Sequence, residues 1–168
     1  MISQKTKYAL QALIVLARAG RGVVVNIGEL AEARGIPPRF LEQILLILKH
    51  NALVASRRGP RGGYTLLRSP SEITIGSILR MVEGPLAPLP CLSKRAYRRC
   101  EDCADEGSCE IRRIFFEVHQ ATTNVLDRLT LKDALADTPS WQALGLAENA
   151  QDAAEEAKSE PATPAISG

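Results

Sequence analysis

Acidic residues are nearly missing from the first 70 positions. Glu29, Glu32 and Glu42 stand there against eleven lysines and arginines, a net charge of +8. The remainder carries ten basic and 16 acidic residues, a net −6, so the total of +2 conceals a basic front and an acidic rear. A front of that sign is suited to a polyanion and poorly suited to a basic partner. Aromatic residues are also scarce, at 4%, so any core must be aliphatic, while 45% hydrophobic and 24% charged residues exclude global disorder. No apolar run reaches the roughly 20 residues of a membrane span. No catalytic triad, Gly-rich nucleotide loop or dinucleotide fingerprint occurs, which argues against an enzyme and a small-molecule substrate. At 168 residues the chain is too short for a two-lobed enzyme.

Lys5 and Lys7 precede the apolar run Tyr8 to Ala17, which weakly imitates a secretory signal. Gln11 interrupts that run, and Tyr8, Leu10, Leu13, Ile14, Leu16 and Ala17 have the spacing of a helix face that a core would need. A cytoplasmic protein that keeps this segment is expected.

The element pattern is mainly α. A first helix, about Ser3 to Ala19, stops at Gly20-Arg21-Gly22, and Val23 to Val25 is β-prone. Asn26 and Glu29 have capping-box spacing, so a second helix should run from Ile27 to Arg34 and end at Gly35. Pro37-Pro38 starts a third, with Phe40, Leu41, Ile44, Leu45 and Leu48 as its apolar face. Two helices joined by a Gly-containing turn make a helix-turn-helix unit. Strands at Leu53 to Arg58 and Tyr64 to Leu67 flank Gly59-Pro60-Arg61-Gly62-Gly63, a β-hairpin wing. Arg57, Arg58 and Arg61 around three glycines allow close approach to a phosphate chain or a minor groove.

Beyond the wing, Thr74 can cap a helix from Ile75 to Val82, broken at Gly84-Pro85, and a Pro-rich stretch follows to Pro90. Ser108 is the expected N-cap of a long helix. Ile111, Phe115, Val118, Thr122, Val125 and Leu129 alternate steps of four and three along it, a coiled-coil seam that favours a second copy of the chain. Thr130 to Leu135 reads as a short helix. From Gly145 onward only Leu146 and Ile166 are large aliphatics, which predicts a disordered acidic tail. The expected division is a winged helix-turn-helix domain (1–70), a connecting helix and Pro-rich linker (71–90), a cysteine loop (91–109), a dimerisation helix with its short successor (109–135) and the tail (145–168).

All four cysteines, Cys91, Cys100, Cys103 and Cys109, lie in that loop. A disulfide framework would spread them, whereas clustering suits a metal site or redox sensor. An all-thiolate site serves 4Fe-4S, 2Fe-2S or zinc alike. Lys94, Arg95, Arg98 and Arg99 are expected to lower the thiol pKa values and favour oxidation without metal. His50 and His119 read as ordinary helix-surface residues. Two further functions fit the same cysteines: a small redox enzyme using Cys100 and Cys103, and a constitutive regulator or adaptor in which the thiols are inert.

The runs Gly35-Ile36-Pro37-Pro38-Arg39-Phe40-Leu41-Glu42-Gln43-Ile44-Leu45, Leu53-Val54 and Arg58-Gly59-Pro60-Arg61-Gly62-Gly63-Tyr64-Thr65-Leu66 resemble the Rrf2 family of bacterial winged-helix regulators, over roughly Met1 to Leu135. The resemblance implies a homodimer on pseudo-palindromic double-stranded DNA, with the long carboxy-terminal helix as dimer element. It implies that Arg39, Glu42 and Gln43 face base edges, and that Arg58 enters the minor groove. It also implies an iron-sulfur cluster on three cysteines with a variable fourth ligand. Arg112 and Lys7 occupy the places where other members draw that ligand and cannot serve, which leaves Cys100 as the fourth candidate. Arg61 stands where the motif commonly has glycine, which implies an additional phosphate contact, and Arg39 where several relatives carry a small residue, so the resemblance does not carry over the operator sequence.

Overall fold

Ser3 opens the first helix of the computed structural model, which describes residues 2–136. Its side chain accepts the Thr6 N–H, satisfying a donor that a helix start leaves free, and α1 runs Gln4–Ala19. Gly20, at φ 99°, ends it. Ala9, Ala12, Leu13 and Leu16 form its buried face. α2 is Ile27–Glu32, started by the expected box: Gly28 N donates to Asn26 Oδ1 and Asn26 N to Glu29 Oε2. It stops two residues before Arg34, because Ile36 N returns to the Ala31 carbonyl at 2.9 Å and Gly35 turns at φ 59°. α3, Pro38–His50, has a proline in its first turn, where no amide hydrogen is missed.

Leu41, Ile44, Leu45 and Leu48 of α3 are buried against α1 and α2. Phe40 is not: it is 51% exposed and meets Tyr8 edge-on, ring centroids 6.4 Å apart. Position 40 lies about 90° around the helix from the centre of the stripe formed by Leu41, Ile44, Leu45 and Leu48, at its flank.

The hairpin is slightly shorter than expected. β1 (Val54–Arg57) and β2 (Gly63–Leu66) pair antiparallel with Val54 opposite Leu66 and Arg57 opposite Gly63. Of the β-prone Val23 to Val25, only Val25 joins, through a bridge to Tyr64 with both hydrogen bonds at 2.9 Å. The bridge depends on Gly63: a Cβ there would collide with the Val25 carbonyl.

After a 3-10 turn at Pro70–Glu72, Thr74 caps α4 (Ile75–Glu83), accepting from Ser77 N at 3.2 Å. A second 3-10 turn, Pro90–Leu92, enters the cysteine loop, and α5 spans Glu110–Arg128. Gly76 lets α4 approach the end of α5, where a Cβ would strike the Asp127 side chain. The expected helix at Thr130 to Leu135 shrinks to a 3-10 turn, Asp133–Leu135. Thr130 is diverted into a bridge with Thr74, and Leu131 N donates to the Ile73 carbonyl at 2.8 Å. Leu131 is fully buried in the same aliphatic core as α1 and α3. Met1–Leu135 accordingly form one compact unit. The expected acidic tail, 145–168, lies outside the described residues.

Candidate nucleic-acid interface and cysteine loop

The buried stripe of α3 turns its opposite face outward, and Arg39, Glu42 and Gln43 are all exposed there. Leu46, 61% exposed, shares that face, three and four residues beyond Gln43 and Glu42, with Lys49 a turn further. Sequence reasoning misses Leu46 because a leucine in a helix is read as core by default. The available signal is its spacing from Leu45 and Leu48, which fill the inner face.

Arg57 closes β1, and Arg58 and Arg61 sit in the turn, all exposed. The two ion pairs among the described residues, Arg80 with Asp127 and Arg112 with Glu106, involve none of these arginines. α3 and the wing therefore present cationic groups that no contact pair among the described residues compensates, and α3 adds an exposed apolar side chain, a carboxylate and an amide. Such a surface can neutralise phosphates and hydrogen-bond base edges.

The cysteine loop is less simply arranged. Cys91 is buried in the Pro90–Leu92 turn, and Cys100, Cys103 and Cys109 are half-buried. Arg99 donates to the carbonyls of Cys103 and Ala104, both at 2.9 Å, bending the chain between the last cysteines. Tyr97 donates to Glu106 Oε1 at 2.5 Å, which raises the Tyr97 pKa. Ser108 is not the helix cap: α5 begins at Glu110, one residue too late for it, and Ser108 is turned to Asp105, its N–H donating to Oδ2 at 2.9 Å. Hydrogen bonds from the Ser108 side chain first, then from the Gly107 and Ser108 amides, hold Asp105 below the usual carboxylate range. Cys109 takes the cap instead, its Sγ accepting from Arg112 N at 3.4 Å.

The expected lowering of thiol pKa is not seen at Cys100. Burial raises it, and the adjoining Cys91, then Cys103 and Asp102, raise it further. The nearby cations do not reverse this: Arg99 spends its guanidinium on carbonyls, and Lys94, Arg95 and Arg98 are exposed. Among the described residues, no three His, Cys, Asp or Glu side chains form a metal-binding group. The donor chemistry nevertheless fits a cluster or zinc: four thiols share one loop, and Cys100 lies close enough to Cys91 and Cys103 to feel both.

α5 buries no residue, so its faces can be sorted by what they meet. Arg112, His119, Thr123 and Leu126 are half-buried toward the rest of the chain. His119 is thus on an inner face, not on open helix surface. Ile111, Phe115, Val118, Val125 and Leu129 are 39–59% exposed, and Thr122 is exposed between them. The predicted seam is an apolar stripe, interrupted by Thr122, that the described residues leave exposed.

The chain matches the family model Rrf2, described as an iron-dependent transcriptional regulator, over residues 2–137. It is 49% identical to an rrf2-like helix-turn-helix-type transcriptional regulator of Rhodobacter capsulatus over 139 residues, 81% of this chain and 93% of that protein. Among solved structures it is similar to CymR, the global cysteine regulator of B. subtilis, at 32% identity and a TM-score of 0.67, covering 82% of this chain and 98% of the other. It is also similar to T. potens IscR, at 30% identity and a TM-score of 0.65, covering 84% and 90%. The winged-helix fold and the family resemblance read from the hairpin and α3 are therefore established, and the chain belongs to the Rrf2 family of DNA-binding transcriptional regulators, which are not enzymes.

Proposed function

We propose that this regulator is a cytoplasmic homodimeric repressor that reads pseudo-palindromic operators and senses redox, iron or nitric oxide status through its cysteine loop. The observation that carries the DNA reading is the set of exposed arginines on the wing, without an ion pair among the described residues, together with the exposed polar face of α3. Arg39 would take guanine, Gln43 adenine, and Glu42 cytosine or none, while Leu46 offers an apolar contact to a thymine methyl. Arg58 would enter the minor groove, with Arg57 and Arg61 on phosphates. The uncovered stripe of α5 supports a symmetric helix pair, which would set two reading heads about one DNA turn apart.

Cys91, Cys103 and Cys109, with Cys100 as fourth ligand, are the residues that would hold an iron-sulfur cluster. A cluster would supply a group sensitive to oxidant, nitric oxide and iron supply. The chain's own contribution is positional: Cys109 caps α5, so its sulfur joins the loop to the helix that sets head spacing. Coupling of the two is an affinity difference between loop states. A second reading is a metal-free thiol switch, supported by the hydrogen-bonded pair Cys91 and Cys100, although the raised Cys100 pKa makes the reactive thiolate scarcer there.

One purification tests both readings. Anaerobic protein should absorb in the visible, carry iron and acid-labile sulfide, and lose both on Cys91→Ala. Iron-free protein after reconstitution sinks the cluster reading, and zinc in the same assay would replace it. Operators selected from random DNA should then bind holo, apo and oxidised protein with different affinities, and equal affinities would leave the cysteines inert. Arg58→Ala should lower affinity and reduce the salt slope by about one. An unchanged slope and affinity would contradict the wing assignment.

A further inference from the structure

A cleft of about 530 Å³ opens between the Pro-rich linker, the segment after Cys91 and the inner face of α5. Its size falls within the usual range of about 300–1,000 Å³ for small-molecule sites. Leu86 and Leu92 from the linker side and Phe116 from α5 supply apolar wall. Lys94, Arg95 and His119 line the same space. At one end the Arg80–Asp127 ion pair neutralises itself. Lys94 and Arg95 have no acidic partner among the described residues, so the remaining charge of the wall is positive.

We infer that this cleft binds a small organic anion, one carboxylate, sulfonate or phosphate on an apolar body. The charge pattern selects the head group, because an uncompensated cation pair beside apolar wall rewards an anion and penalises a cation. The three wall side chains select the body, since burying apolar surface favours a hydrocarbon or ring over a bare ion. The position gives such a ligand a route to the rest of the molecule. Leu92 directly follows Cys91, and Leu92 and Phe116 also line a smaller recess of about 300 Å³ that reaches Cys109. A ligand seated here would bridge the linker and α5 on both sides of the cysteine loop. It would shift that loop only by its differential affinity for the loop's states. This inference goes beyond the DNA and cysteine reading and does not depend on it.

The test uses the full chain with 8-anilinonaphthalene-1-sulfonate as anionic probe and Nile red as an uncharged one. Wild-type protein should bind the sulfonate saturably, one per chain. The double variant Lys94→Glu/Arg95→Glu should weaken that binding at least tenfold and leave Nile red unchanged. Ala87→Trp, which fills space in the cleft from the linker side, should weaken both probes. Thermal melting and molar mass are read on each variant, and only variants that match wild type are compared. Unsaturable sulfonate binding, or equal affinity in the double variant, overturns the inference. So does a double variant that loses DNA affinity alone, because the two cations would then belong to the nucleic-acid surface.

Discussion

At the scale of single residues, Glu83 does more than its exposed position suggests. Its Oε1 accepts the Thr6 hydroxyl at 2.6 Å and the Ser3 N–H at 2.8 Å, tying the end of α4 to the start of α1. Hydrogen bonds from the Ser3 side chain first, then Thr6 and the Ser3 backbone, bring its pKa from 4.5 down to about 2. A carboxylate depressed in the folded state contributes stability that is complete above its ordinary pKa and lost as pH falls from about 4.5 toward 2. Glu83→Gln keeps an accepting oxygen and removes the charge. It should melt below wild type near neutral pH, and the gap should close through that acid window. Parallel melting curves from pH 7 to 2 would show that the charge contributes nothing.

Cys109 illustrates where residue-level reading stops. A serine next to a helix start is the commoner cap, and nothing local reveals that the Ser108 side chain is engaged by Asp105 and that the helix begins one residue later. The Cys100 thiol is a similar case. Arginines precede it and Glu101 and Asp102 follow it, so its sequence neighbours leave the sign open; burial and the spatial neighbours Cys91 and Cys103, with Asp102, decide it.

At the scale of elements, the helices were legible because their signals are local. Ser3, Asn26 and Thr74 cap where their side chains must, and Leu41, Ile44, Leu45 and Leu48 repeat with the helix period. The hairpin was legible from its glycines. What those glycines are for was not, since the reason lies across the fold: Gly63 clears the Val25 carbonyl. Gly63→Ala should force β2 away from Val25 and cost about 1–3 kcal/mol. Denaturant unfolding measures this, and a stability equal to wild type would mean the wing can shift freely. The short segment after α5 was misread for a related reason. A lone Leu131 carries no periodicity, so its full burial against Ile73 and the core could not be foreseen.

For the whole molecule, the exposed stripe of α5 is what the proposed dimer would bury. Fully burying a valine or leucine contributes about 1.5–3 kcal/mol, so five half-exposed apolar seam positions on each of two helices would supply several kcal/mol toward pairing. Val118→Asp places a charge at the middle of that stripe. With a penalty of about 3 kcal/mol, the dimer constant should weaken on the order of 100-fold. Sedimentation equilibrium reads the change, and far-UV circular dichroism verifies that α5 persists. An unaltered molar mass across dilution would place the subunit contact elsewhere.

The anchoring of α5 at its far end has a mechanical meaning. The helix leaves the cysteine loop at Cys109 and is pinned near Leu131, where the Thr74–Thr130 bridge and the Ile73 carbonyl fasten it to the DNA-reading body. Nineteen residues at 1.5 Å each make a lever of about 28 Å whose fulcrum is that pin. A tilt of about 5° there carries the Cys109 end through about 2 Å. A small movement of the cysteine loop at the long arm thus corresponds to only a few degrees at the end fastened to Ile73 and Thr74.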